Sequence, residues 1–199
     1  MASALGIDDN PWKASEETVT FDCAYFQVRQ DRVSLAGRQE RPYSSIRMKY
    51  FGVCALPVDG DGRVALVGQY RYVLDRYTWE GPGGGAVMGS DPLVTAKAEL
   101  EEEIGYRASR WLKLVEGAVS PGISNEIVPA YVAWELERTR PADNADELLS
   151  RRWVRFAEAL EMALSGAIGN LVATSALLAL DVKLRRGDLP ENLATALQS

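Results

Sequence analysis

The stretch from Gly81 to Tyr106, GPGGGAVMGSDPLVTAKAELEEEIGY, constrains this chain more than any other. A glycine-rich turn leads into a segment of helical spacing that carries Glu99, Glu101, Glu102 and Glu103 immediately before Gly105. Carboxylates stabilise the first turn of a helix, where the backbone dipole is positive. In the last turn they meet the negative end and repel one another at roughly 0.2–0.5 kcal/mol per close pair. The placement calls for a compensating positive charge, and a divalent cation is the natural candidate.

Positions i, i+3 and i+4 share a helix face, so Glu99, Glu102 and Glu103 point together while Glu101 points elsewhere. Three convergent carboxylates make a hard, all-oxygen ligand set of the kind that suits Mg²⁺ or Mn²⁺, commonly shared with substrate phosphates. The helix starts near Ser90 or Asp91, either of which can cap it, with Pro92 in the first turn. Leu93, Ala96, Leu100 and Ile104 recur at helical spacing and form its core face.

Composition narrows the chemistry. The 199 residues are enough for one substantial domain, alone or with a small appendage, and 47% of them are hydrophobic. A net charge of -6 argues against a general nucleic-acid binder, which needs clustered Lys and Arg. There is no histidine, which excludes imidazole acid–base chemistry, His metal sites and Ser–His or Cys–His nucleophiles. Cys23 and Cys54 lie far apart in apolar strand-like runs and read as buried thiols, neither a disulfide framework nor a zinc site. The N-terminus lacks the pattern of a signal peptide. The longest apolar run, Leu171 to Leu180, is shorter than the roughly 20 residues a membrane helix needs. A soluble, cytoplasmic protein without membrane contact is expected.

Alternation from Thr18 to Leu35 predicts a β-hairpin turning at Gln30-Asp31. Ser44–Pro57 reads as an extended segment, Asp59-Gly60-Asp61-Gly62 as a turn, and the run after it as a strand reaching Gln69 and Arg71. Beyond Gly105, the runs starting at Trp111 and Val128 read as strands joined by a loop over Ser120–Glu126. A polar loop from Arg140 to Glu147, a strand at RRWVRF, and helices over Phe156–Ile168 and Leu171–Leu184 follow, with a short helix or fraying at the tail. Strands mixed with few helices, without βαβ alternation, predict an α+β fold or α/β/α sandwich.

Gly84, followed at fixed distance by Glu99-Leu100-Glu101-Glu102-Glu103-Ile104-Gly105-Tyr106, resembles the signature of the Nudix hydrolase family. That signature runs Gly, five residues, Glu, seven residues, then Arg-Glu-aliphatic-x-Glu-Glu-x-Gly-aliphatic. Two positions depart: Ser90 stands where it has its first glutamate and Ala98 where it has its arginine. In the family these two groups support the loop–helix–loop, partly by pairing with each other, so their joint loss is closer to neutral than the loss of one. The resemblance implies a Nudix-type α/β/α sandwich with a mixed sheet over residues 44–199. The β-rich region over residues 1–43 would serve dimerisation.

From about Asn10 to Leu184 the chain is similar to the ADP-ribose and nucleoside diphosphate sugar pyrophosphatase branch. The features that carry this are Gln69-Tyr70-Arg71, Glu80-Gly81-Pro82-Gly83-Gly84 and Ser120-Pro121-Gly122 followed by Ser124-Asn125-Glu126. Pro121 lies sixteen residues after Gly105, a spacing that the branch associates with ADP-ribose. The resemblance implies Mg²⁺-dependent hydrolysis of a pyrophosphate bond, with Mn²⁺ as an alternative ion. Glu99, Glu103 and the carbonyl of Gly83 would hold the metal, and Glu102 would support it or share a second ion. Arg71, Glu80, Pro121 and Glu126 would meet the substrate, arginine through its bidentate fork on phosphate and Glu126 on ribose hydroxyls. A late-loop carboxylate would be the general base, with Glu147 preferred over Asp143 and Asp146. The branch also implies a homodimer, in which Arg71 or Glu80 approaches the partner's site. Two alternatives remain: a degenerate domain that binds a nucleotide sugar without efficient hydrolysis, and a pyrophosphatase for another diphosphate such as a dinucleotide.

Overall fold

The computed structural model describes residues 9–140 and 148–198. They form two compact units, one over residues 9–50 with Ser120–Glu126, the other over 51–119, 127–140 and 148–198.

The first unit is an antiparallel sheet of β1 (Trp12–Glu16), β2 (Val19–Asp22), β3 (Phe26–Leu35) and β4 (Arg41–Met48). β1 and β2 pair with successive parts of β3, and β4 pairs with it in the register Phe26↔Met48 to Val33↔Arg41. The turn expected at Gln30-Asp31 is not there. Both residues lie inside β3, and the chain reverses at Cys23–Tyr25. Asp31 tolerates the strand because its buried carboxylate accepts from Thr18 N at 3.1 Å and pairs with Arg29 at 3.3 Å. Turn propensity yields when a strand satisfies the polar side chain. Cys23 is only half-buried, in contrast to its sequence reading.

β5 (Tyr50–Gly52) runs from the last residue of the first unit into the second, which then holds β6 (Cys54–Pro57), β7 (Arg63–Arg71), β8 (Arg76–Glu80), β9 (Gly85–Val87), β10 (Tyr106–Ala118), β11 (Ile127–Arg138) and β12 (Ser150–Arg155). Its helices are α1 (Pro92–Glu99), α2 (Phe156–Leu164), α3 (Leu171–Arg186) and α4 (Glu191–Leu197). One three-stranded sheet runs β10-β11-β6 and another β12-β7-β8. β6 is parallel to β11 and the other pairs in these sheets are antiparallel, so the sheet is mixed as expected.

The apolar runs in β6, β7 and β11 are continuous because both faces of the sheet are covered. Val64, Leu66, Ala130 and Val132 face the cluster built on α2 and α3, with Ala173, Ala176, Leu177 and Leu180. Ala65, Val67 and Ala133 face the opposite cluster, with Leu100 and Ile104. The unit is thus the α/β/α sandwich that the pattern predicted. Ala96, Leu100 and Ile104 are buried as the helical spacing requires. β10 begins directly after Gly105, five residues before the expected Trp111, and the helix expected to reach Ile168 ends at Leu164. Among the described residues no helix is long and apolar enough to cross a membrane.

Candidate active site

The glycine turn and the acidic helix meet residue against residue. Asp91 caps α1, its carboxylate accepting from Leu93 N at 2.9 Å, and Pro92 opens the helix. Ser90, the other candidate cap, instead donates its hydroxyl to Val87 O at 2.7 Å. α1 stops at Glu99, and Leu100–Ile104 form a π-helical turn that ends at Gly105 in the left-handed region. The sequence reading had an α-helix throughout. The wider turn is the kind that marks functional positions, and it changes which glutamates face the glycines.

Glu103 is buried, and its Oε2 accepts from Gly83 N at 2.9 Å. Glu99 lies against the next glycine, where a Cβ on Gly84 would stand 2.0 Å from its Oε1. Glu101 turns away, as the helical spacing predicted, and pairs with Arg107 at 2.8 Å. Glu102 is exposed. The turn is held on its other side by β6 and the residue before it, with Ala55 N donating to Pro82 O at 2.8 Å and Val53 N to Gly84 O at 2.9 Å. Cys54 packs beneath it. Burial pushes its thiol up to about 12, and the nearby carboxylates of Glu80 and Glu103 add to the shift. It is a neutral packing group.

The charge crowding has protein partners that the sequence did not reveal. Arg151 on β12 donates its Nε to the backbone carbonyl of Glu103, bringing a cation to the negative end of the helix. Arg151→Ala is expected to destabilise the protein by about 1–2 kcal/mol, the usual worth of a charge-assisted bond plus a helix-end cation. Arg151→Lys should recover part of that in thermal melts without metal. A melt unchanged by Arg151→Ala would remove the bond from the account of how Glu103 is held.

A second cluster leads into the same turn. The Glu80 carboxylate is buried, and its Oε1 accepts from Arg71 Nη2 and, at 3.3 Å, from Gln69 Nε2. Its Oε2 accepts from Asn170 Nδ2 at 3.2 Å. A buried carboxylate is tolerated when its lone pairs are met in this way. Arg71, less enclosed, borders a cleft of about 470 Å³ whose walls include Gln69, Thr78, Glu80, Gly169 and Asn170.

Pro121 and Glu126 belong to the first unit, in the segment that bonds to β4. Ile46 N donates to Ile123 O at 2.7 Å and Met48 N to Asn125 Oδ1 at 2.7 Å. Pro121 lines a cleft of about 430 Å³ in that unit, beside Trp12, Tyr43 and Arg47. Glu126 is half-buried, its backbone N donating to Ser124 Oγ at 3.4 Å. Asp143, Asp146 and Glu147 lie outside the described residues.

A divalent cation has to be tested against this donor set. Among the described residues no group of three acidic, Cys or His side chains converges as a ligand cluster. Two carboxylates, Glu99 and Glu103, do meet adjacent residues of one turn, and both are hard oxygen donors. The residues therefore fit such an ion through two carboxylates and the turn backbone, with Glu102 standing outside them.

Comparison with known proteins agrees with the fold. The family profile described as NUDIX domain matches residues 48–174. An ADP-ribose pyrophosphatase of Mycobacterium tuberculosis is 36% identical over 160 residues, 78% of this chain and 76% of that protein. An ADP-ribose pyrophosphatase of Bacillus subtilis is 35% identical over 116 residues, 58% of this chain and 60% of its own length. A crystal structure of an ADP compounds hydrolase superposes with a TM-score of 0.79, covering 88% of this chain and 95% of that one, at 18% identity. The last is a likeness of fold alone. The chain belongs to the Nudix family, on its ADP-ribose pyrophosphatase branch, and is a Nudix pyrophosphohydrolase. Divalent metal ions generally serve the family.

Proposed function

We propose that the protein hydrolyses the pyrophosphate bond of ADP-ribose or a related nucleoside diphosphate sugar, with Mg²⁺ as its ion and Mn²⁺ as a substitute. Water adds across the P–O–P bridge, so the products are a nucleoside monophosphate and a sugar phosphate. The observation that carries this reading is the meeting of Glu99 and Glu103 with the consecutive glycines Gly84 and Gly83. A bound divalent cation would polarise the phosphate oxygens and lower the pKa of water.

The chain's own groups have separable roles. Glu99 and Glu103 are the ion's carboxylate ligands. The alternation of the turn supports the Gly83 carbonyl as a third ligand, because the carbonyls of Pro82 and Gly84 are already turned toward β6. Glu102, at the surface, would support the ion or share a second one. Arg71 offers its guanidinium to the diphosphate while Glu80 holds it from behind. With no histidine in the chain, a carboxylate has to take the proton from water, and Glu147 is the candidate we prefer. Pro121 and Glu126 would contact the nucleoside end.

A second reading, binding without efficient hydrolysis, is favoured by Ser90, Ala98 and the absence of a three-acid cluster among the described residues. One assay separates the two. The protein is incubated with ADP-ribose and Mg²⁺ and the products are resolved by chromatography. AMP and ribose 5-phosphate are expected. Tight binding of ADP-ribose with no product would establish the second reading instead.

A further inference from the structure

We propose that Asn170 is a positioning residue for Arg71, acting through the buried carboxylate of Glu80. The inference rests on the reading above that Arg71 meets the diphosphate. Asn170 precedes α3, and its Oδ1 accepts from Val172 N at 2.9 Å and Ala173 N at 3.2 Å. Two backbone donors on one end of the amide fix its orientation, since the NH₂ end cannot accept. The Nδ2 is therefore turned away from the helix, where it donates to Glu80 Oε2. The cap thus determines where the donor points.

Glu80 needs that donor. Arg71 and Gln69 both bond to Oε1, so Asn170 is the partner found on Oε2. A terminal carboxylate torsion is broad and two-fold, and partners on one oxygen alone leave the group free to swing. Held at both oxygens, Glu80 presents a fixed edge, and among the described residues it is the ion-pair partner of Arg71. Asn170 and Glu80 are ninety residues apart. The loop ahead of α3 does not depend on this contact for its place. Gly169 N donates to Thr78 Oγ1 at 2.7 Å, and Trp79 N donates to Ala167 O at 3.1 Å. Variants at Asn170 can therefore fold with the loop docked on β8.

The test separates capping from positioning. Asp and Ser cap about as well as Asn, but neither offers the amide donor, and Asp also sets a second carboxylate against Glu80. Asn170→Asp and Asn170→Ser are expected to melt within about 3 °C of the wild type. Both should raise KM for ADP-ribose roughly tenfold while kcat changes less than about twofold, the signature of a lost binding contact. The ¹⁵N NMR signal of the Arg71 side chain, restrained in the wild type, should show faster guanidinium rotation in both. Asn170→Ala, which loses cap and donor together, should show the same kinetic change with a lower melting temperature. If only Asn170→Ala alters KM, the residue is a cap and the proposal is overturned. An Arg71 signal unchanged by Asn170→Asp in a folded protein overturns it as well. A wild type that does not cleave ADP-ribose would defeat the functional reading, and the NMR measurement would then decide the positioning role without it.

Discussion

Glu103→Gln is expected to lower kcat on ADP-ribose by roughly 10²–10³-fold, the scale on which a single electrostatic group acts at a reacting centre. The apparent Mg²⁺ affinity should fall with it. The fold should be untouched, for reasons visible in the site. The Gln carbonyl can still accept from Gly83 N, and Arg151 bonds to the backbone of residue 103, which the substitution leaves in place. The side chains are nearly equal in volume, so burial is preserved. Only the negative charge is lost, and losing it relieves repulsion in the last helical turn. A melting temperature at or slightly above that of the wild type is expected without metal. Unchanged turnover in Mg²⁺ titrations would remove Glu103 from the ion's ligands.

Two neighbouring glycines should give opposite results when changed to alanine. A Cβ at Gly84 meets Glu99 Oε1 at 2.0 Å and Cδ at 2.5 Å, the far end of a flexible side chain. Glu99 can swing aside, so Gly84→Ala should cost less than about 1 kcal/mol of stability. The swing removes a proposed ion ligand, and kcat should fall by about 10²-fold. A Cβ at Gly83 meets Val53 O at 2.1 Å and Val53 C at 3.1 Å, which are backbone atoms. They cannot withdraw, because Val53 N and Ala55 N are bonded to the turn on both sides of that point, at Gly84 O and Pro82 O. Gly83→Ala should therefore destabilise by about 3 kcal/mol or more. Thermal melts and steady-state kinetics on the two variants check this. Equal stability of the pair would mean that the turn is looser than its contacts imply.

The departures from the family signature also take on a physical form. Ser90 is used locally, donating to Val87 O, and Asp91 caps the helix beside it. Ala98 itself brings no charge to the acidic turn. Arg151 approaches from β12 and bonds to the turn's backbone at Glu103. That bond, made from another strand, helps to hold the backbone of residue 103 in place.

Much of the second unit could be read in advance because its signals are local. The apolar runs of β6, β7 and β11 read as extended segments, and both faces of these strands are covered. The spacing of Ala96, Leu100 and Ile104 marked the buried helix face. The turn at Gln30-Asp31 misled because its local chemistry favours reversal, and a partner thirteen residues earlier, Thr18, removes that preference. The π-helical turn was hidden for a related reason. An α-helix and a π turn differ by one residue per bond, and the choice between them is made by what the side chains pack against.

The glycine turn, the four glutamates and their register were set by the sequence alone, because spacing along a chain determines which groups a single turn and helix can bring together. Tertiary structure decided which of those carboxylates face the glycines. Glu99 and Glu103 do, Glu101 is taken by Arg107, and Glu102 is left at the surface. It also supplied Arg151, forty-eight residues beyond Glu103, and Asn170, ninety beyond Glu80. No pattern in the sequence announces such partners. They are brought near only when the sheet and its two helical layers have closed around the core.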